Sequence, residues 1–554
     1  MQNLLPDSKA TTSFDNRTSR GGHSQRVPIF NDEFQHADLV IRGRPPNVQV
    51  DASSASLGSS SFHHGFSIDR VSSQWTRSTW STAGQHGRIQ EIDDEDEGEP
   101  EIKDEVEGQV HEVTPLIYLD EWQSDPFSAL PSDLPKHVLA EQMHQSKTCL
   151  LEMVTNRSAD SYGPHFAGNI LNLAVNNTTL LYAMMYAGMM FARTASNQTT
   201  PTVLELQFGT RAIQMLSQQL RSPVTAATEA NVWAVVALGY CDNFISLRPG
   251  RLPRQSFLKE LQSLHIYGRM TVNLAHIQGL NQLIQLLGGL DKIRTPGIAQ
   301  VISFADLFES TRYLLRPGLP CIFHTRTFIV NDRLSVSSQE RRWAEKALGP
   351  LGSSFREIWG TSSPLPVQKL CEVIRDACDF TIVVENYVEG RWVPRLPAEL
   401  TDQRNYVHHK LMSLDSETEI AERGEWLHDQ HYEPCRLACI AYSFLVIFPF
   451  PPIFGLFERL GSRLQKSIMS SSLRLEELGR TRKELHLWIV VMGAIICTGL
   501  PERAFYIREL SQTLKLLKVS SFDSLVRILQ TFLWHPKTSN YDAMDLWRAL
   551  KLDV

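Results

Sequence analysis

From Lys136 onward, apolar residues recur three or four positions apart, the period that lines one face of an α-helix, whereas residues 1–110 show no such rhythm. Val138, Leu139, Met143, Leu150, Leu151 and Val154 predict a first helix. Residues 178–193 are almost wholly apolar, with Met184, Met185, Met189 and Met190 among them, and predict a helix buried on most sides. Such a methionine run suits plain core packing better than an adaptable ligand pocket. Residues 204–220 and 225–244 predict two further helices, with Ser222-Pro223 as the breaker between them. Residues 258–264 lead on to residues 276–293, where Leu280, Leu283, Ile284 and Leu287 share one helical face. Gly288-Gly289 then stops that helix, because glycine takes the left-handed conformation of a helix end without a Cβ clash. Leu290 and Ile293 return apolar side chains to the core, so this hairpin is expected in the interior, with the chain organised around it.

Four prolines (Pro317, Pro320, Pro350 and Pro364) make residues 315–365 a loop-rich joint. Helical patterning resumes over residues 370–388 and again from Pro434 to Tyr442, which runs into Phe448-Pro449-Phe450-Pro451-Pro452. The fold class that follows is all-α: a large multi-helix bundle or array over residues 136–554, preceded by a disordered arm (1–110) and an extended docking strip (111–135). The arm is rich in Ser, Thr, Gly, Gln and Pro and has too little apolar surface to offset the entropy of ordering. In the strip, Pro126 and Pro131 stiffen the chain and Phe127 and Leu130 are its anchors.

Charge sharpens this division. Residues 1–90 carry +2, residues 91–110 carry −10, and the remainder carries +1. The acidic run 91–107 reads as a solvated tether, or as an acidic activation segment, since Leu116, Ile117, Tyr118, Leu119 and Trp122 follow it. The near-neutral helical region has no electrostatic claim on nucleic acid. Arg42-Gly43-Arg44-Pro45 matches the core of an AT-hook, yet it lacks flanking basic residues, so Arg42 and Arg44 promise weak DNA contact at most.

Several function classes drop out. Residues 437–457 hold no charge over 21 positions, the length of a membrane span, but three prolines interrupt them and no basic asymmetry frames them. A buried helix followed by a proline turn is the expectation, with no membrane role. The N-terminal Met1-Gln2-Asn3-Leu4-Leu5-Pro6 lacks the basic start and apolar run of a secretory signal. The eight cysteines are scattered through apolar segments as reduced core thiols. Cys371/Cys378 and Cys435/Cys439 stand seven and four apart, a packed-face spacing, with no nearby histidine to complete a zinc tetrahedron.

No Gly-x-Ser-x-Gly elbow, phosphate loop or His-Glu-x-x-His motif occurs, so no catalytic residue, metal or cofactor is assigned. Two acidic patterns resemble the magnesium sites of all-α terpenoid synthases. Asp93-Asp94-Glu95-Asp96-Glu97 lies in the arm, and Asn331-Asp332-x-x-Ser335 has Gln339 where a carboxylate is wanted. His276 fits a histidine that caps or hydrogen-bonds within the helix core better than a catalytic base. His408-His409 read as surface residues of a helix.

The series His276-x-x-Gly279-Leu280-x-x-Leu283-Ile284-x-x-Leu287-Gly288-Gly289-Leu290 resembles a segment of the fungal-specific transcription-factor domain. Further points of resemblance follow in register: Asp125-Pro126-Phe127, Arg436-Leu437-Ala438 on a helix ending in Phe-Pro, Trp488 to Gly493, Glu502-Arg503-Ala504-Phe505, and Phe532-Leu533-Trp534. The chain departs from the family at Leu287, where arginine is usual, at Phe304-Ala305-Asp306 in place of Trp-x-Asp, and at Phe505 and Phe522, where tryptophan is commoner. The resemblance implies a nuclear regulator of transcription whose helical domain binds rather than catalyses. Its implied partners are the transcription machinery or a DNA-bound regulator, a second copy of the chain, and a small-molecule effector in an apolar inter-helix cavity. The family's six-cysteine zinc cluster has no counterpart here, since no cysteine precedes Cys149. The alternatives are a magnesium-dependent, terpenoid-synthase-like enzyme and a non-transcriptional helical scaffold.

Overall fold

Helices here start where a short polar side chain takes over the orphan amides of a first turn. Asn177, Thr202, Thr228, Asn273, Ser337 and Ser521 each accept a backbone N–H two or three residues ahead. The computed structural model describes residues 136–154, 162–323, 328–360, 363–394, 397–425, 429–471 and 474–552. The readings made on residues 1–135, including Arg42, Arg44, the acidic run and the Asp-Pro-Phe strip, lie outside the described residues.

Sixteen α-helices of eight residues or more are described, numbered here in chain order. They are α1 (Lys136–Val154), α2 (Tyr162–Val175), α3 (Thr178–Ala195), α4 (Val203–Gln219), α5 (Glu229–Gly239), α6 (Leu274–Leu286), α7 (Ile298–Tyr313) and α8 (Ser338–Leu348). Then come α9 (Leu365–Val388), α10 (Pro397–Met412), α11 (Tyr432–Tyr442), α12 (Leu456–Ser470), α13 (Arg480–Ile496), α14 (Arg503–Leu517), α15 (Phe522–Leu529) and α16 (Pro536–Leu552). Among the described residues the strands are two short ones, β1 (Ile329–Val330) and β2 (Arg333–Leu334), paired antiparallel. The fold is all-α.

The helices bury two main apolar cores. The larger gathers around α11 and α13, with residues 434–453 and 485–498 buried without a break. Past Tyr442 the helix widens into a π turn, Ser443–Ile447, closed by Phe448 N–H donating to Ser443 O at 2.7 Å. Pro449, Pro451 and Pro452 then turn the chain inside the core. This is why residues 437–453 carry no charge: they thread the larger core. Among the described residues no helix is long and apolar enough to cross a membrane. Gly493 lets α13 meet α14, since a Cβ there would drive into the Tyr506 ring, whose hydroxyl donates to Gly461 O at 2.7 Å.

The smaller core joins α1–α6 and the start of α7 through Leu180, Leu181, Met184, Met185, Trp233, Val236, Leu280, Ile284 and Ile302. As expected, α3 is buried on most sides, twelve of its eighteen residues being enclosed.

Four expectations need correction. The hairpin at residues 276–293 is not the interior organiser. Leu280, Leu283 and Ile284 on α6 are buried, but Asn281, Gln282, Gln285 and Leu286 face solvent, so α6 is an edge helix with one seated face. Residues 225–244 do not form one helix: Thr228 caps α5 afresh and α5 ends at Gly239. Residues 315–365 are less loop-like than their prolines suggest, because α8 forms behind a capping box. Glu340 N–H donates to Ser337 Oγ at 3.2 Å, and Ser337 N–H donates to Glu340 Oε2 at 2.6 Å. Finally, His408 is fully buried rather than exposed, on a helix, α10, whose Asp402, Gln403, Arg404 and Asn405 are buried with it.

Candidate functional site

Where the two cores meet, four helices fail to close on one another. α1 contributes Ser146, Cys149 and Leu150, and α3 contributes Met184 and Ala187. From α5 and the turn after it come Trp233, Val236, Ala237, Tyr240 and Cys241. Tyr267 and the α7 residues Val301, Phe304, Ala305 and Phe308 complete the wall. The space left is a cavity of about 60 Å³, enough for a small apolar group and lined almost wholly by carbon.

Three polar side chains at its wall, Ser146, Cys149 and Tyr267, are held by the protein itself. Ser146 Oγ lies 2.8 Å from Gln142 O and 3.1 Å from Met184 O, spending its hydroxyl on the helices. Cys149 Sγ and Tyr267 OH are 3.0 Å apart, and the phenol also lies 3.3 Å from Cys149 O. Burial pushes the Cys241 thiol well above its ordinary range, with Cys149 adding to the effect, so a thiolate nucleophile is disfavoured there. Tyr240 is likewise held protonated, by burial first and then by Asp306 and Glu309.

Those two carboxyls sit on α7 just beyond the wall. Burial raises Asp306 to about 6, against the amides of Leu319 and Gly318, which pull it down. It raises Glu309 to about 7, against the attraction of Arg312. Both Glu309 oxygens are buried with no hydrogen-bond donor. Arg312 donates from Nη2 to Gly268 O at 3.4 Å and stands 5.3 Å from the Phe308 ring.

A second polar cluster lies deep in the larger core. His408 Nε2 is 2.8 Å from Thr311 Oγ1, and Nδ1 is 2.8 Å from Ser443 Oγ. Thr311 gives its proton to Leu307 O at 2.7 Å, so it accepts from Nε2–H, and Ser443 donates to Nδ1. Burial holds His408 neutral, its pKa well below the ordinary value, with Arg404 and His409 adding to the effect. The imidazole stacks on Phe448 at 4.2 Å, and the Arg404 guanidinium stands 5.0 Å from the same ring. Arg404 donates to Leu261 O at 2.8 Å and to Asn405 Oδ1 at 3.0 Å, and also bonds Gln262 Oε1. Burial lowers it to about 9, a value at which it still carries its charge at neutral pH. A serine beside a histidine has the outline of a nucleophile and base. Here both are sealed, and the pair ties α10 to the π turn.

No family model, curated protein or solved structure matches the chain.

The residues that carried the resemblance are spread through the molecule as joints. His276 is half-buried on α6 with no partner for Nδ1, and Asn273 rather than His276 caps the helix, accepting from Ala275 N–H at 3.1 Å. Gly279 has open space around it, whereas Gly288 (φ +90°) and Gly289 (φ +114°) make the turn that their sequence implied. Arg436 grips Glu433 with two bonds of 2.6 and 2.8 Å. Trp488 Nε1 donates to Leu533 O at 2.9 Å, and Trp534 Nε1 to Asn540 Oδ1 at 2.8 Å. Arg503 is half-buried at the start of α14, facing Asp545 and Asp542. None of them lines the cavity.

Asn331 and Asp332 form the turn of the β1–β2 hairpin with φ of 52° and 56°, not a helix face. The Asp332 carbonyl accepts from Tyr406 OH at 2.6 Å and from Lys410 Nζ at 3.2 Å. Among the described residues, no three His, Cys, Asp or Glu side chains gather as a metal cluster.

Proposed function

We propose that the chain is a nuclear regulator of transcription whose helical domain works by binding, its activity biased by a small apolar molecule held between the two cores. What supports the regulatory half is the ordered series of motifs that resembles the fungal-specific transcription-factor domain, with Leu280 seated in the smaller core, Gly288-Gly289 at a helix-ending turn, and Trp488, Gly493 and Trp534 at packing joints. The observation that carries the mechanism is the carbon-lined cavity at the seam. A ligand there touches Leu150, Met184, Trp233 and Val301 of the smaller core and Cys149, Tyr267, Phe304 and Phe308 of the larger, so it biases how the cores pack. The other proposed partners are the transcription machinery or a DNA-bound regulator.

The test tethers the full chain to a heterologous DNA-binding module beside a reporter. The regulatory reading expects transcription to change several-fold relative to the module alone; an unchanged reporter overturns it in favour of a scaffold. The ligand half is tested by thermal shift with small aromatic and aliphatic compounds. These should raise the melting temperature of the wild-type chain and leave Ala305→Leu, which fills the cavity, unmoved. Equal shifts in both place the ligand elsewhere.

A further inference from the structure

α4 presents two apolar faces, and the core uses one of them. Phe208, Ala212 and Leu216 are buried, and Glu205 pairs with buried Arg193 at 2.9 Å. Flanking that face, Val203, Leu206, Ile213 and Leu220 are 73, 54, 45 and 39 % exposed, and Val224 just past the helix is 87 % exposed. These five are among sixteen large exposed apolar side chains in the described residues, so nearly a third fall within one short stretch. The residues beside them, Gln207, Gln214 and Gln218 with Arg211 and Arg221, include no carboxylate. A contiguous apolar face of this kind calls for another apolar surface.

The spacing identifies that surface. Leu206 and Leu220 lie seven residues to either side of Ile213, and Val203 and Val224 lie ten and eleven residues out. The pattern is close to palindromic about Ile213. A two-fold axis through Ile213 sets α4 antiparallel to a second α4, with Ile213 on Ile213, Leu206 on Leu220 and Val203 beside Val224. Every exposed apolar side chain then meets another, and the two helix dipoles oppose. The run from Leu206 to Leu220 is about 21 Å long, at 1.5 Å per residue.

We infer that a second copy of this chain docks on α4 through this antiparallel, two-fold helix pair. The inference stands on the exposed face alone and does not rest on the regulatory reading. A single helix pair buries area at the low end of specific interfaces, on the order of 1,000 Å² in total, so the dimer should dissociate in the micromolar range.

Sedimentation of the full chain from about 1 to about 100 µM tests this, a range that brackets micromolar dissociation. The wild type should pass from monomer to dimer across that range, while Leu206→Glu and Leu220→Lys each stay monomeric with unchanged far-UV circular dichroism. The double variant L206E/L220K then decides the geometry. In the antiparallel pair the introduced carboxylate of each copy faces the introduced ammonium of the other, and dimerisation returns at least in part; a parallel pair would set like charges together. A wild type that remains monomeric, or a double variant no better than the singles, overturns the proposal.

Discussion

The two cores of this protein are built from different materials. The larger is a lattice of rings: Phe308 and Phe450 stack at 4.9 Å, Phe355 meets Phe532 at 5.0 Å, and His408 lies on Phe448. Threaded through it are a buried guanidinium and imidazole with specified partners. The smaller core is mostly alanine, leucine, isoleucine, valine and methionine on α1–α6, with few rings, and its buried ion pair, Arg193 with Glu205, ties α3 to α4 at its edge. Rings and hydrogen-bonded ions tolerate one arrangement, while aliphatic and thioether side chains repack at little cost. The cavity opens on the border, where the adaptable material meets the rigid one. Specificity of shape lies in one half and room for adjustment lies beside it.

The strongest way to break this contrast is at Arg404. Arg404→Met leaves Leu261 O and Asn405 Oδ1 without the donor they use and takes one of two donors from Gln262 Oε1, and it should cost about 2–5 kcal/mol in chemical denaturation. A loss below about 1 kcal/mol would mean that the network is incidental.

Next in size is a pair of alanine substitutions. Ala234 is fully buried in the smaller core away from the cavity, and Ala305 lines the cavity. Ala234→Leu should destabilise by about 1–3 kcal/mol through overpacking, and Ala305→Leu should be neutral or raise the melting temperature. Equal costs at both positions would deny that the seam holds spare volume.

Third comes a pH signature on α7. The Glu309 carboxyl has a folded pKa of about 7, above the ordinary glutamate value of 4.5, so folding takes up a proton between those values. Stability from this group is therefore present below about 4.5, falls as pH rises to about 7, and is level above. Glu309→Gln should melt higher than wild type at pH 8, by a shift on the order of 1 kcal/mol, and match it at pH 4. Parallel pH profiles for the two proteins would refute the assignment.

The smallest effect concerns the start of α6. Asn273→Ala removes the cap that Ala275 N–H uses and should cost about 1 kcal/mol, more than His276→Ala, whose Nδ1 has no partner to lose. The reverse order in thermal melts would restore His276 as the structural anchor.

What a reader of the chain can see tracks how local each cause is. The apolar run of α3, the breaker at Ser222-Pro223 and the turn at Gly288-Gly289 are legible, because backbone preference and side-chain period act over a few residues. So is the Ser337-x-x-Glu340 signature of α8, although the surrounding prolines point the other way over residues 315–365. α10 is not legible. Its Asp402, Gln403, Arg404, Asn405 and His408 spell an exposed helix, and they are buried only because partners arrive from more than 30 residues away: Gln262, Ser443 and Phe448. The cavity escapes for the same reason, since its wall is assembled from four helices and no one of them reveals the gap.

By itself, then, the sequence determined that the chain past Lys136 is helical, roughly where helices such as α3 and α4 begin and stop, and that the uncharged helix and proline turn after Pro434 lie inside. Tertiary structure alone decided that α11 and α13, not the Gly288-Gly289 hairpin, occupy the centre, that a polar helix is enclosed, and that a seam stays open. Helix formation answers to neighbours three and four residues away, whereas burial and fit depend on which distant surfaces meet, and those pairings are a property of the whole fold.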